Sequence, residues 1–300
     1  MRYCKLLLPA FIFFTLFSCE KEVTLNLSHE PTLCLNCILN PDSMISASLS
    51  ISKALNASGD FESVNNASVL LYEDGSLFGE LQRTGNGNYR LNKKPSVSKN
   101  YKIVAQAPGY TSVTATTIVP RFPEVATTRD TTAEELNPQG IHSTYSYIVF
   151  DLNVQLFDKP GADNYWLYSS WIVNDRRYGG GCHPINAPFV DTFNRIIDSE
   201  EKYGFRHFLQ IRIFDEGYDG ETLAFTIPDF VKYSAEVNNE LGYQYFLNAD
   251  EHYDKYIKTT IMNRMKETSE LPFYEPIQIY SNIENGYGIF GSCAITAVKL

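Results

Sequence analysis

The chain has 300 residues, a net charge of −10 and 44% hydrophobic residues. This acidic balance disfavours nucleic acid as a partner, because binding phosphates requires clusters of Lys and Arg. The length is sufficient for two domains of ordinary size.

The first 18 residues have the pattern of an export signal. Arg2 and Lys5 give a short positive segment, and Leu6–Phe17 is a 12-residue run that is apolar except at Thr15. Such a run is too short to span a bilayer, which takes about 20 residues, but it has the length of a signal-peptide core. No other stretch of the sequence is long and apolar enough to be a transmembrane helix.

The end of this segment, Leu16-Phe17-Ser18-Cys19, resembles the lipobox of bacterial lipoproteins. The resemblance implies that Cys19 carries a diacylglycerol and an N-linked acyl chain such as palmitate, and three chains are enough for stable anchoring in a membrane. The acid-rich stretch that follows, Glu20-Lys21-Glu22, resembles the signal that sends Bacteroidetes lipoproteins to the cell surface. We therefore expect residues 19–22 to anchor the protein in the outer membrane, facing the exterior. The alternative is an ordinary secretory signal in which Cys19 is incidental.

Residues 23–120 are predicted to be an immunoglobulin-like β-sandwich. In the stretch 45–52, Ile, Ala and Leu alternate with Ser, which is the period of a half-buried strand. Turn signals at Asp74-Gly75, Asn86-Gly87 and Pro108-Gly109 separate several further short strands. The segment 101–110 (YKIVAQAPGY) also resembles the closing hairpin of carboxypeptidase-regulatory-like domains.

Residues 121–140 are predicted to be a linker and loop, because Pro120 and Pro123 withdraw ladder donors and the polar stretch 127–139 shows no periodicity. Residues 141–300 are predicted to be a larger β-rich domain. It opens with a long strand in which Leu152 and Val154 face one way while Asn153 and Gln155 face the other.

One amphipathic helix is predicted near the C-terminus, at about 249–268. Its apolar residues, from Tyr253 to Met265, recur at spacings of three and four, which suits a helix that docks on a sheet. Asn248 is the predicted N-cap, with Glu251 as its reciprocal partner.

The cysteines leave their pairing open. Cys4 would leave with the signal, and the remaining Cys34, Cys37, Cys182 and Cys293 allow three pairings. Cys34 and Cys37 lie three apart in a predicted strand, so their side chains point to opposite faces. We expect buried free thiols there.

Several segments resemble a known family, above all 281–291 (SNIENGYGIFG) together with 271–276 (LPFYEP). The segments 67–75 (ASVLLYEDG) and 163–166 (DNYW) agree with it. The sequence, over roughly residues 19–297, is similar to a Bacteroidetes lipoprotein family catalogued as domain of unknown function 4249. The resemblance implies a surface lipoprotein of the kind often encoded beside TonB-dependent outer-membrane receptors. It supplies no catalytic residue.

No catalytic site, metal site or cofactor is predicted from the sequence. It contains no zinc-protease, hydrolase-elbow or nucleotide-binding motif, and no two of the five histidines share a ligand-like spacing. Cys182-His183 adjoins a glycine run, but neighbouring residues on an extended chain diverge. The acidic stretch 215–221 has an alternative as a glycosidase acid pair or a cation site, and we interpret it as a solvated loop.

Aromatic residues are abundant, with 2 Trp, 20 Tyr and 19 Phe. Rings exposed on a β surface stack on sugars or pack on partners, although a β-rich core would also use them. The candidate ligand or partner contacts are Trp166, Tyr168, Trp171, Tyr178 and Tyr203. The sequence favours a non-catalytic accessory protein that captures a glycan or peptide for a TonB-dependent nutrient transporter. The alternatives are an adhesion or structural surface protein and, second, a surface hydrolase.

Lipidation can be tested by replacing the predicted anchor residue. Cys19→Ser is expected to abolish labelling with a radioactive or clickable fatty acid and to release the protein from the membrane fraction, because the acyl chains are its only predicted anchor. Membrane retention equal to that of the parent chain would contradict the prediction.

Overall fold

The computed structural model describes residues 29–54, 57–136, 146–173, 176–180, 184–191, 210–233, 241–267 and 277–300. Two compact units divide the chain, Met1–Pro31 with Lys53–Gly59 and Thr32–Ser52 with Asp60–Leu300. Every strand and the helix given below belong to the second of these units.

The second unit is built mainly from β-strands, as the sequence predicts. Its first strands are β1 (Leu33–Leu39), β2 (Ile45–Ile51), β3 (Ser68–Glu73), β4 (Ser76–Glu80), β5 (Gln82–Gly85), β6 (Asn88–Leu91), β7 (Asn100–Gln106) and β8 (Val113–Ile118). The following elements are β9 (Glu124–Leu136), β10 (Ser146–Phe157), β11 (Asn164–Val173), β12 (Arg176–Gly180), β13 (Ile211–Phe214), β14 (Thr222–Tyr233), β15 (Leu241–Ala249), helix α1 (Glu251–Glu267) and β16 (Tyr287–Lys299). Within the described residues, α1 is the only helix, and its bounds confirm the predicted position.

A long sheet runs through the unit in the order β12-β11-β15-β16-β1-β2-β6-β5, with β13 also paired to β11. Strand β16 joins two halves of this sheet. The first half consists of β1, β2, β6 and β5, and the second half consists of β11, β12, β13 and β15. The beginning of β16 pairs in parallel with β1, from Cys34 opposite Tyr287 to Leu39 opposite Ser292. Its remainder pairs antiparallel with β15, beginning at Cys293 opposite Ala249.

The first half of the long sheet packs against a second sheet of order β4-β3-β7-β8. Alternate residues of β1 and β2 point into the space between the two sheets, as the Ser/apolar alternation of 45–52 predicts. The interior contains fully buried side chains such as Leu35, Leu49, Ile103 and Phe290. This arrangement is a β-sandwich around one hydrophobic core. The division of the chain into domains at 23–120 and 141–300 stays a prediction.

The second half of the long sheet is covered on both faces. A three-stranded sheet of order β14-β10-β9 packs on the face that carries Leu167 and Phe246. Helix α1 packs on the face that carries Trp166 and Leu247, through Ile257. Consecutive residues of a strand point to opposite faces, so the two layers lie on opposite sides of β11 and β15.

The prediction of a loop within 121–140 is wrong for residues 124–136, which form strand β9. This strand pairs with β10 from Glu124 opposite Phe157 to Leu136 opposite Ser146. Its sequence hides the strand because much of it is exposed, so polar residues occupy positions that a central strand would fill with apolar ones. Cross-strand pairing and several threonines, which favour extended structure, stabilise it instead.

Helix α1 is capped by Asp250, so the prediction of Asn248 as the N-cap is wrong. The Tyr253 backbone N–H donates to Asp250 Oδ1 at 2.9 Å, which is the N-cap geometry. Asn248 belongs to β15 and is buried. A Cβ on Gly291 of β16 would lie 2.9 Å from the Tyr253 Cβ. The first turn of α1 therefore approaches β16 as closely as a glycine allows.

The Asp250 carboxyl also connects α1 to two strands. Its Oδ1 accepts the Ser292 backbone N–H at 2.9 Å, and its Oδ2 lies 2.7 Å from the Thr117 hydroxyl. The Thr117 and Ser292 hydroxyls are 3.0 Å apart, and the Ser292 hydroxyl donates to the Ile118 carbonyl at 2.7 Å. The Thr117 hydroxyl is the donor to the Asp250 carboxyl. Burial raises the pKa of Asp250 above its ordinary value of 3.8, while the hydrogen bonds from Thr117, Ser292 and Tyr253 oppose this shift.

The raised pKa of Asp250 gives a pH-dependent stability. A raised pKa means that the folded state holds this proton more tightly than the unfolded state does. The contribution is therefore complete below pH 3.8 and is lost as the pH rises through the folded-state pKa. Asp250→Asn, which keeps an acceptor oxygen and cannot titrate, is expected to remain within about 1 kcal/mol of the parent at pH 7 and to lack this pH dependence.

Asp250→Ala is the matched comparison. It removes the cap and leaves the Ser292 N–H and the Thr117 hydroxyl without their partner, at a cost of roughly 2–4 kcal/mol. Urea unfolding at several pH values measures all three proteins. An Asn variant whose stability depends on pH as steeply as that of the parent would contradict the titration of Asp250.

Candidate functional site

A groove of about 410 Å³ lies on the β9-β10-β14 sheet. It is lined by Ala126, Thr127, Thr128, Asn153, Val154, Gln155, Asn186, Ala224, Phe225 and Thr226. Its volume falls within the range of small-molecule sites, about 300–1,000 Å³. Among these residues none carries a charged side chain.

The groove follows from the alternation of buried and outward-facing side chains along β10. Leu152, Val154 and Leu156 are buried in the core between the sheets. Asn153 and Gln155 therefore point to the other face. Gln155 is opposite Ala126 on β9 and Ala224 on β14. Two methyl groups flank one long amide, so the sheet surface is hollow on both sides of Gln155.

The next row across the three strands is held in place by hydrogen bonds. Asn153 is opposite Thr128 on β9 and Thr226 on β14. The Thr226 hydroxyl donates to Asn153 Oδ1 at 2.9 Å, and Asn153 Nδ2 donates to Asp130 Oδ2 at 2.8 Å. The Asn153 amide is thus oriented by protein groups before any ligand arrives.

One wall of the groove is a short segment beside β14. The Ile185 N–H donates to the Thr226 carbonyl at 2.8 Å, and the Thr226 N–H donates back at 3.2 Å. The following residue, Asn186, has a φ of +56°, which Asn adopts more readily than most residues. Its exposed side chain stands at the border of the groove.

The predicted aromatic contacts do not form this groove. Trp166 is 1% exposed, and its Nε1–H donates to Asp254 of α1 at 3.0 Å. The prediction that Trp166 contacts a ligand is therefore wrong, because α1 covers its face of β11. Tyr168 is half-buried, and its ring stacks on Tyr245 with centroids 4.7 Å apart.

The other candidate contacts stay predictions. Trp171 and Tyr178 are opposite one another on β11 and β12, and only their backbones are described. Tyr203 lies outside the described residues, as do the anchor segment 19–22 and the pair Cys182-His183.

A buried ion-pair network connects α1 to β13, and no sequence pattern indicates it. Arg212 Nε donates to Asp254 Oδ1 at 2.7 Å, and its Nη1 donates to Asp191 Oδ2 at 2.7 Å. The Arg212 side chain is 11% exposed and that of Asp254 is 8% exposed. Arg212 Nη2 also donates to Asn164 Oδ1 at 2.8 Å. Trp166 and Arg212 share the Asp254 carboxylate, which fixes the helix on the sheet.

The acidic loop brings Asp158, Asp215 and Asp219 together, with carboxylate oxygens within 4.8 Å of one another. Each carboxylate accepts a backbone N–H, from Gly220, Asp163 and Gly161 respectively, at 2.7–2.9 Å. The Tyr165 hydroxyl also donates to Asp158 at 2.7 Å. These bonds close the loops that follow β10 and β13, as the interpretation of 215–221 as a loop predicts.

Three of the cysteines are free thiols, namely Cys34, Cys37 and Cys293. Burial raises the pKa of Cys37 and of Cys293 to about 12. Both thiols are therefore protonated at neutral pH and are poor nucleophiles. This outcome confirms the expectation of buried thiols for Cys37.

Comparison with known families decides the relationship of the chain. A family model described as domain of unknown function DUF4249 matches residues 20–298. The chain belongs to the DUF4249 family. No curated protein matches this DUF4249 chain. Among its described residues no helix is long and apolar enough to cross a membrane.

The run 281–291, on which the resemblance to the family rests, has a structural role in this DUF4249 protein. Asn282 Oδ1 accepts the Phe290 N–H at 2.9 Å, and Asn282 Nδ2 donates to the Phe290 carbonyl at 2.8 Å. A Cβ on Gly288, whose φ is +114°, would lie 2.0 Å from the Leu35 carbonyl oxygen. The run therefore fixes β16 beside β1, as expected for a turn and a closely packed strand.

The buried network predicts a large effect of one substitution. Arg212→Met is expected to lower the free energy of unfolding by about 3–5 kcal/mol, since it leaves the buried Asp254 carboxylate without its cation. Lys99→Met is the matched control, because Lys99 pairs with Asp74 where both side chains are more than 40% exposed, and it should leave the urea midpoint nearly unchanged. Similar urea midpoints for the two variants would disprove the role of Arg212.

Proposed function

We propose that this protein is a non-catalytic outer-membrane lipoprotein, anchored through Cys19 and facing the cell exterior, that captures a ligand for a TonB-dependent nutrient transporter. The groove on the β9-β10-β14 sheet is the observation that carries the proposal. It is concave, lies on a rigid sheet, and presents amide and hydroxyl groups of which Asn153 is already oriented. Such a surface binds by contact and needs no reacting group.

The lining of the groove supports binding rather than turnover. Its side chains are amides, hydroxyls and hydrocarbons, none of which titrates near neutral pH. Acid–base or nucleophilic catalysis needs a titratable group within hydrogen-bond distance of the substrate. The Asp130 carboxylate borders the groove, and it accepts the Asn153 amide.

Adhesion through strand pairing is the second candidate, and strand β9 favours it. In the part of the chain that the structure describes, β9 pairs with β10 on one edge and is the last strand of its sheet. An exposed edge can accept an extended strand from a partner. Its charged residues, including Arg129 and Asp130, oppose this pairing, because charges on an edge hinder strand addition.

The proposed function is tested on intact cells and on purified protein. Protease added to intact cells is expected to degrade the chain, and replacing Glu20, Lys21 and Glu22 by Ala should protect it by shifting it inward. Chemical crosslinking followed by affinity purification from detergent-solubilised outer membranes is expected to recover a TonB-dependent receptor.

Two results would contradict the proposal. One is a chain that resists external protease and recovers no receptor. The other is substrate turnover that Cys182→Ala or Glu221→Gln abolishes while the fold survives. The second result would favour the surface hydrolase.

A further inference from the structure

We infer that the groove on the β9-β10-β14 sheet binds a neutral saccharide through the Gln155 amide. This inference rests on the proposed function and names the ligand class of the same site. It follows from the hydrogen-bonding groups, the charge and the backbone pairing of the groove, which are taken in turn.

The hydrogen-bonding groups match neighbouring hydroxyls. The Gln155 side-chain amide offers two donors and an acceptor, and it stands exposed between Ala126 and Ala224. An amide that donates with its nitrogen and accepts with its oxygen pairs with two adjacent hydroxyl groups at once. The Thr226 hydroxyl and the exposed Asn186 amide add further groups at the border. Adjacent hydroxyls of this kind are the defining chemistry of sugars.

The charge of the site disfavours anionic ligands. A polyanion requires Lys or Arg to offset its charge, and the lining contains neither. The Asp130 carboxylate, which borders the groove, accepts the Asn153 amide. With a net charge of −10 the whole chain repels anions as well. A neutral ligand therefore meets no electrostatic penalty here.

The backbone pairing disfavours a peptide. Extended peptides are recognised chiefly by adding a strand to an open edge. The floor of the groove is β10, which pairs with β9 on one side and β14 on the other. At Thr226 the outer edge of β14 is occupied by Ile185. Among the described residues, the floor strand β10 is paired on both sides, and the outer edge of β9 carries the charged Arg129 and Asp130, which hinder strand addition. A peptide would therefore have to bind the floor of the groove through side chains.

The hydrocarbon groups complete the match. Methyl groups of Ala126, Ala224 and Thr226 lie among the polar groups of the lining. The C–H faces of a pyranose ring are apolar, so they pack on such methyls while the hydroxyls bind the amides. At about 410 Å³ the groove holds a short segment of a glycan rather than a whole polymer.

The test uses the full chain, purified in detergent from the membranes of cells that express it. It is applied to a glycan array that carries neutral and acidic oligosaccharides and to a library of short peptides, and each hit is measured by isothermal titration calorimetry. We expect binding of a neutral oligosaccharide, with affinity reduced at least about tenfold by Gln155→Ala. Ala126→Leu, which fills the hollow beside Gln155, should reduce it as strongly.

Gln82→Ala is the matched control, since Gln82 is an exposed glutamine on β5. Strand β5 belongs to the long sheet and not to the β9-β10-β14 sheet, so the change should leave binding unchanged. Thermal unfolding of each variant shows that its fold is retained. A peptide or an acidic oligosaccharide that binds with the same Gln155 dependence overturns the saccharide inference and leaves ligand capture standing. Neutral glycans that fail to bind, or that bind independently of Gln155 and Ala126, overturn it too. Absence of binding by all three classes overturns the ligand-capture function as well.

Discussion

The Asp250 carboxyl is the joint on which the arrangement of layers depends. Through it the first turn of α1, strand β16 and the end of β8 meet at one buried group. Each of these elements belongs to a different layer. A carboxyl that satisfies two backbone N–H groups and one hydroxyl removes buried polar groups that would otherwise each cost free energy. The network therefore favours one relative position of the helix and the strands.

Strand β16 connects the Asp250 joint to the hydrophobic cores on both sides of it. Phe290 lies in the core of the first sandwich, and Ser292 lies at the Asp250 joint. Further along, the Thr296 hydroxyl donates to the carbonyl of Pro123, immediately before β9, and Val298 packs in the second core. The groove is thus placed by a strand that lies outside its own sheet. Its two hollow positions beside Gln155 exist because β9 and β14 are held in register on β10.

The sequence predicts elements whose own residues decide their structure. Local pairing and burial decide the polar/apolar alternation of β2, the apolar face of α1 and the turn at Asp74-Gly75. The sequence therefore predicts each of them. The outward position of Asn153 and Gln155 was also indicated by the alternation of β10. Their meeting with Ala126 and Ala224 was not, because strand order across three segments leaves no local signal.

Long-range contacts account for the predictions that were wrong. Trp166 has the same local pattern as an exposed strand residue, and only the arrival of α1 and the Asp254 carboxylate buries it. Arg212 carries no motif, since its partners Asp191 and Asp254 come from separate segments. The sequence does not indicate strand β9, because its exposed positions carry polar residues instead of an apolar alternation. In all three cases the deciding neighbour is remote in sequence.

The parallel pairing of β1 with β16 has a consequence for how the chain acquires its fold. Leu39 finds its partner Ser292 only when nearly the entire polypeptide is present. Contacts of such long sequence separation raise the contact order and slow folding, because loop closure must precede them. A chain that emerges from its N-terminus onward therefore exposes one edge of β1 until the last strand arrives. Synthesis is therefore coupled to the pairing of β1 with β16, and a factor that shields unpaired strands during this interval would raise the yield of native protein.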